Sequence, residues 1–146
     1  MRRTVADTNV YVDWLNEGLH SELLFQSDAV KFMSAVVLME LFAGAHAPKD
    51  RRLIARLQAV FGKADRVVTP SETVLVEAGH TLRQLAERDG YSAAGSRGLV
   101  QDVLIALSAR SIGATVITQN ARDFQAIARV RPFDLQIAPP RGPKAR

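Results

Sequence analysis

Four carboxylates in this sequence stand where solvated surface acids seldom do. Asp7 closes the run Thr4-Val5-Ala6, and Glu40 lies inside Ala35-Val36-Val37-Leu38-Met39-Glu40-Leu41-Phe42-Ala43. Asp102 opens Asp102-Val103-Leu104-Ile105-Ala106-Leu107, and Asp123 follows Val116-Ile117-Thr118 by about one helical turn. A carboxylate in apolar surroundings loses hydration worth several kcal/mol unless something compensates it. No Lys or Arg stands immediately beside Asp7 or Glu40, whereas Arg97 and Arg110 are close enough to Asp102 in sequence to offer an ion pair. For Asp7, Asp102 or Asp123 taken singly, capping a helix is the competing role. No cap role fits Glu40, in mid-helix. If the four meet at one sheet edge, their mutual repulsion calls for a divalent cation. With no Cys, and with His20, His46 and His80 far apart, hard oxygen donors favour Mg²⁺, with Mn²⁺ as a substitute, over Zn²⁺. Such a site suits metal-assisted hydrolysis of a phosphodiester. The segment Thr118-Gln119-Asn120-Ala121-Arg122-Asp123 adds hydroxyl, amide, guanidinium and carboxylate groups just past an apolar run, although an Asn120 cap with a solvated first turn would look the same.

The elements that must position these groups alternate. Arg3 to Ala6 reads as a strand, after which Thr8 and Asn9 offer a cap to a helix carrying Val10, Val12, Trp14 and Leu15. A second helix is expected over residues 19–26, a strand over 30–33, and a helix over 35–44 capped by Ser34 and stopped by Gly44. Residues 51–61 have helical spacing of Leu53, Ile54, Leu57, Val60 and Phe61, and Val67-Val68 is a short strand. Thr69-Pro70-Ser71-Glu72 reads as a capping box with Pro at the first helical position, starting a helix that carries Val74, Leu75, Ala78, Leu82 and Leu85 and ends near Gly90. Residues 92–98 are small and Gly/Ser-rich. A helix is expected over 99–112, a strand over 115–118, a helix over 120–129 and a last strand over 133–137.

Short strands between helices predict an α/β protein, a three-layer α/β/α sandwich with a mostly parallel central sheet, whose ligand site lies at the carboxyl ends of the strands. The 146 residues, 47% apolar and 23% charged, suit one domain over residues 1–138, followed by a basic, Pro-rich, mobile tail over 139–146. No apolar run is long enough for a bilayer span, and the N-terminus lacks the apolar stretch of a signal peptide, so the expected location is cytoplasmic. The net charge is +4, and 15 of the 19 basic residues are Arg, whose guanidinium fork matches phosphate oxygens; codon usage in a GC-rich genome would produce the same bias.

Four segments taken in order carry a resemblance: Val5-Ala6-Asp7-Thr8-Asn9-Val10, Ser34-Ala35-Val36-Val37-Leu38-Met39-Glu40-Leu41, Asp102-Val103-Leu104-Ile105-Ala106, and residues 113–124, Gly113 to Phe124. The chain resembles PIN-domain proteins over about residues 4–137, and more narrowly the VapC-type ribonuclease toxins of bacterial toxin–antitoxin pairs. The resemblance implies a PIN-like, Rossmann-like fold and a Mg²⁺-dependent endoribonuclease. It implies that Asp7 and Asp102 are the principal metal ligands and that Glu40 and Asp123 complete the site directly or through water. Thr118 and Asn120 match polar positions that orient Asp7 or the phosphate, and Ser34 matches a hydroxyl that holds the helix bearing Glu40. It also implies a homodimer and a cognate antitoxin lying over the groove. Arg97 and Arg122 are candidate RNA contacts. Standalone size, more than chemistry, favours a toxin over an RNA-processing PIN nuclease.

Two rival folds fall on single residues. Haloacid dehalogenase-type hydrolases need a second Asp two positions after the first, where this chain has Asn9, and receiver domains need an acidic pair there and a late Lys. A silent PIN-like binding module is the remaining alternative; keeping four acids argues against it, since a scaffold gains stability by losing them. The histidines are expected at the surface or at helix ends, and Trp14 and the six Phe in the core or a subunit interface.

Overall fold

The computed structural model describes residues 1–91 and 98–140. Along the chain run β1 (Arg3–Ala6), α1 (Thr8–Glu17), α2 (Ser21–Phe25), β2 (Val30–Ser34), α3 (Ala35–Gly44), α4 (Pro48–Lys63), β3 (Val67–Val68), α5 (Glu72–Asp89), α6 (Leu99–Ser111), β4 (Thr115–Thr118), α7 (Ala121–Val130) and β5 (Leu135–Ile137). The five strands form one sheet in the order β3-β2-β1-β4-β5, and every pairing is parallel. Val5 lies beside both Phe32 and Val116, so β1 is central and has neighbours on both edges. Its residues Thr4, Val5 and Ala6 are all buried, as a strand covered on both faces requires. Helices α1, α3 and α4 pack together, α5, α6 and α7 form a second group, and the sheet lies between them as the middle layer.

The strand order fixes where a ligand can enter. From β1 the chain builds outward through β2 and β3, then returns to lay β4 on the other side of β1 and continues to β5. The order therefore reverses between β1 and β4, and the crevice past their carboxyl ends is the topological switch point of the sheet. Asp7 follows β1 directly, and Thr118 ends β4.

Several boundaries depart from expectation, each for a local reason. Asp7, not Thr8 or Asn9, caps α1. Ser71 caps α5 with its hydroxyl on the Val74 N–H, which leaves Thr69 and Pro70 outside that helix. Leu75 faces solvent. Helix α4 starts earlier, at Pro48, where the missing N–H costs nothing. Helix α2 is shorter because His20 adopts a left-handed conformation, φ 67°, at its start. In α1, Tyr11 and Asp13 are buried while Val12 is exposed. Strand β5 begins only at Leu135, after Phe133 has turned edge-on to Phe124, with ring centroids 6.4 Å apart. Of the expected tail, Pro139 and Pro140 are described and residues 141–146 lie outside the described residues.

Candidate active site

Asp7 is the best-anchored of the four acids. Its Oδ1 accepts the Thr8 N–H at 2.7 Å; its Oδ2 accepts the Thr118 hydroxyl at 2.7 Å and the Asn9 side-chain amide at 3.2 Å. Only 4% of the residue is exposed. Burial pushes its carboxyl above the ordinary range against the pull of these hydrogen bonds, and the charge of Glu40 adds to the rise. Thr118 is spent in both directions, donating to Asp7 and accepting the Asn120 N–H at 3.0 Å. The turn leaving β4 is thereby tied to the turn leaving β1.

Glu40 comes from mid-α3 and is half-buried; its Oε1 accepts the Thr8 hydroxyl at 2.8 Å. Ser34 holds that helix in place, its hydroxyl accepting the Val36 and Val37 N–H groups at 3.1 and 3.3 Å. Asp102 stands in the first turn of α6, where its Oδ2 accepts from Asn120 at 3.3 Å. Its carboxyl is pushed up to about 8, first by burial and then by the charges of Asp7, Glu40 and Asp123. Four acids far apart in sequence thus share one electrostatic neighbourhood. The ion pair that Arg110 could have offered Asp102 is not made: Arg110 donates to the Pro132 carbonyl and lies 3.8 Å from Glu77.

Asp123 sits differently from the other three. Its Oδ1 accepts the Tyr91 hydroxyl at 2.9 Å, its Oδ2 accepts the Asn120 amide at 3.0 Å, and its N–H returns to Asn120 Oδ1. Asn120 caps α7 through that last bond while its amide bridges Asp102 and Asp123. A cavity of about 400 Å³ opens beside the cluster, lined by Asp7, Thr8, Asn9, Val12, Asp13, Glu40, Gly98, Asp102 and Asn120. Asp123 is absent from that lining and reaches it through Asn120. No Lys or Arg is among the described lining residues. Arg122 is exposed, its guanidinium 5.8 Å from the Tyr91 ring centroid, and Arg97 lies outside the described residues.

Sequence reasoning gave Thr8 and Asn9 only a capping role, placed Gln119 only within a polar segment, and passed over Tyr91 and the meeting of Asp13, His20 and Gln119. His20 does stand at a helix end, as expected, but its side chain is only 9% exposed and bonds Asp13 at 3.2 Å. Trp14 packs edge-on against Phe25, centroids 5.0 Å apart, on the far side of α1.

Among the described residues, no group of three or more His, Asp or Glu side chains is arranged to hold a metal ion. Mg²⁺ binds through one or two carboxylates and keeps several waters, so it does not require three direct protein ligands. The donor set is all oxygen, it is concentrated on one cavity wall, and Asp102 resists ionisation there; these features suit a hydrated divalent cation. Among the described residues, no helix is long and apolar enough to cross a membrane.

A family model described as PIN domain matches residues 4–130. No curated protein matches the sequence significantly. Among solved structures, the chain is similar to one in VapBC2 from Rickettsia felis, bound to a DNA fragment from their promoter, with 23% identity, TM-score 0.65, and coverage of 94% of this chain and 99% of that one. It is likewise similar to one in VapBC-1 from nontypeable Haemophilus influenzae, with 23% identity, TM-score 0.66, and coverage of 92% and 97%. A third is VapBC-5 from Mycobacterium tuberculosis, a member of the VapBC family of toxin–antitoxin systems, with 26% identity, TM-score 0.57, and coverage of 94% and 98%.

Proposed function

The chain belongs to the PIN-domain family, and on that premise we propose that it is a Mg²⁺-dependent endoribonuclease acting as the toxin of a toxin–antitoxin pair. The observation that carries the reading is the convergence of Asp7, Glu40 and Asp102 on one cavity at the switch point of the sheet, with the Asp102 carboxyl pushed up to about 8 by burial and then by the charges of its neighbours. An acid cluster this self-repelling is a poor scaffold and a good receptor for a cation.

In this reading Asp7 and Asp102 hold Mg²⁺, or Mn²⁺ in its place, while Glu40 completes the site directly or through water. Asp123 contributes through Asn120, which it holds against Asp102. The ion, when bound, supplies a Lewis acid and an activated water for phosphodiester hydrolysis. The chain's own part is orientation. Thr118 and Asn9 fix Asp7, Thr8 fixes Glu40, and Asn120 fixes Asp102, so the carboxylates need little reorganisation when the cation arrives. Arg122 and Arg97 are the cations proposed to guide RNA phosphate toward the cavity.

The toxin assignment rests on the likeness to chains of VapBC complexes over nearly their whole length. We extend it to a cognate antitoxin covering the cavity and to a homodimer, for which exposed Met39 on α3 and Leu75 and Val76 on α5 offer apolar surface.

The deciding experiment is cleavage of a mixed structured RNA pool by the purified protein with Mg²⁺, with EDTA, and by Asp102→Asn with Mg²⁺. Cutting is expected only from the wild type with metal. Equal cutting by Asp102→Asn would remove the assignment; a folded wild type that neither cuts RNA nor takes up Mn²⁺ would favour a silent binding module. Growth arrest on expression, relieved by the neighbouring gene, separates a toxin from an RNA-processing nuclease.

A further inference from the structure

Beside the acid cavity, three polar side chains from three separate elements meet, Asp13 buried and His20 and Gln119 partly buried. Asp13 lies on α1, His20 at the start of α2, and Gln119 in the turn between β4 and α7. Asp13 Oδ2 accepts from Gln119 Nε2 at 2.6 Å and from His20 Nε2 at 3.2 Å, and the two nitrogens lie 3.1 Å apart. The carboxylate is the common acceptor, with His20 read as the Nε2–H donor and the Gln119 amide as the other donor. The His20 and Asp13 side chains are 9% and 10% exposed. Local backbone brings this about. Gly18 ends α1 in a left-handed conformation, and His20, also left-handed at φ 67°, folds the chain back over the helix it has just left. A His in that conformation is uncommon, and its bond to Asp13 offsets the strain.

Taking the site as the nuclease centre proposed above, we propose that Asp13, His20 and Gln119 form a clamp that positions the acid cluster through the β4–α7 turn. The route is a series of hydrogen bonds. The Gln119 backbone N–H donates to Asn9 Oδ1 at 3.3 Å, which turns the Asn9 amide so that its Nδ2 reaches Asp7 Oδ2. The next residue along the chain, Asn120, carries the amide that bridges Asp102 and Asp123. The Gln119 side chain is held by Asp13, which His20 fixes in turn, with the Pro139 carbonyl at 3.5 Å as a weaker acceptor, so the peptide that feeds both Asn9 and Asn120 is steadied from its side chain. With the clamp cut, only the local bonds of the turn hold that peptide, the Asn120 N–H on Thr118 Oγ1 and the Ala121 N–H on the Gln119 carbonyl, and Asn9 can flip, turning a carbonyl oxygen instead of an N–H toward Asp7. An Asp–His–Gln trio around the buried Asp13 is a costly way to fill space, since apolar residues of similar volume are often as stabilising or more so. These three are positioning residues, acting on the acids only through Asn9 and Asn120.

The test compares wild type, Gln119→Ala, His20→Ala and His20→Gln, the last restoring a donor of similar reach. Side-chain amide NMR signals read the clamp directly, with Asn16 on α1 as the internal reference. Mn²⁺ uptake followed by electron paramagnetic resonance reads its effect on the acids, and RNA cleavage reads the outcome. Gln119→Ala and His20→Ala are expected to move the Asn9 and Asn120 signals and leave Asn16 in place. They are expected to weaken Mn²⁺ binding by up to about 10-fold, the low end of what losing a direct hydrogen-bond partner of a ligand does, because they act one bond further out. His20→Gln should recover most of the loss. Unmoved Asn9 and Asn120 signals in folded Gln119→Ala would overturn the clamp whatever the RNA assay gives. Moved signals with unchanged Mn²⁺ affinity would overturn its role in positioning. Moved signals in a protein whose wild type neither binds Mn²⁺ nor cuts RNA would keep the clamp and overturn the nuclease reading. If Gln119→Ala does not fold, His20→Ala, in a turn outside the sheet, gives the same readout.

Discussion

Helix α1 is the shared wall of two cavities of similar size and opposite chemistry. On one side Asn9, Val12 and Asp13 face the acid cavity of about 400 Å³. On the other, Trp14 faces a mostly apolar groove of about 360 Å³ with Phe25, Leu53, Arg56, Leu57, Val60 and Phe61. Leu57 and Phe61 in its wall are buried and stabilise the fold, while Phe25 and Val60 stand at its exposed rim. The acid cavity holds carboxylates whose burial and mutual repulsion raise the proton affinity of Asp7 and Asp102. Volume alone therefore says little about what a cavity is for. A region that lowers stability while being held rigid by hydrogen bonds is set up for a ligand that relieves the repulsion, whereas a region that raises stability needs no ligand to explain it.

Substitution separates the two regions most sharply when activity and stability are read together. Asp102→Asn is expected to abolish cleavage while the protein stays folded, as tested above. Leu57→Ala is expected to do the reverse. Leu57 is 7% exposed on α4, and truncating a side chain so buried costs about 2–4 kcal/mol. Chemical denaturation should show that loss with an unchanged denaturant slope, and the folded fraction should cut RNA at the wild-type rate. A Leu57→Ala protein with wild-type stability would mean that the groove contributes nothing to the fold, and the contrast would collapse.

The contrast was half legible in the sequence. The apolar runs of β1 and β4, and the acids that follow them, announce a buried parallel sheet with charge at its carboxyl end, and Ser34 and Asn120 cap the helices expected of them. Competition between neighbours was not legible. Asp7, Thr8 and Asn9 are three successive residues able to cap, and only the Asp7 backbone, extended at φ −71° and ψ 163°, decides among them. Thr69 and Ser71 offer two overlapping frames for α5 in the same way. The clamp was invisible for a stronger reason. Residues 13, 20 and 119 have no periodic relation, and two of them meet only because His20 adopts a left-handed turn that its residue type does not advertise. The difference between Asp123 and the other three acids was equally hidden, because Tyr91, just past the end of α5, occupies one of its oxygens while the cap residue Asn120 takes the other.

Titration offers a finer test of the repulsion itself. The Asp102 carboxyl has an ordinary value of 3.8 and stands at about 8 in the folded chain. The folded state therefore holds the proton more tightly than the unfolded state, and stability falls as pH rises through that window. The penalty is absent below about pH 4 and complete above about pH 8. Asp102→Asn cannot ionise, so in metal-free buffer it should be more stable than wild type at pH 8 by about 1–3 kcal/mol, less than the full shift because water enters the open cavity. Near pH 4 the two proteins should melt together. Mg²⁺ at pH 8 should raise the wild-type melting temperature and narrow the gap. If the gap is as wide at pH 4 as at pH 8, Asp102→Asn acts by packing or hydrogen bonding, not by relieving charge.

The smallest expected effect lies at the rim of the apolar groove. Phe25 is 44% exposed, with its ring edge-on to Trp14. Phe25→Ala removes one aromatic pair, worth about 0.5–1.5 kcal/mol, and little fully buried area. Its cost should fall near the lower end of that range and be independent of pH and Mg²⁺, because no ionisable group enters the contact. Parallel melting curves of Phe25→Ala and wild type at pH 4 and pH 8, with and without Mg²⁺, check this. A gap between Phe25→Ala and wild type that changes with Mg²⁺ would show that the two sides of α1 are coupled, and the helix would then transmit the state of the acid cavity to the groove behind it.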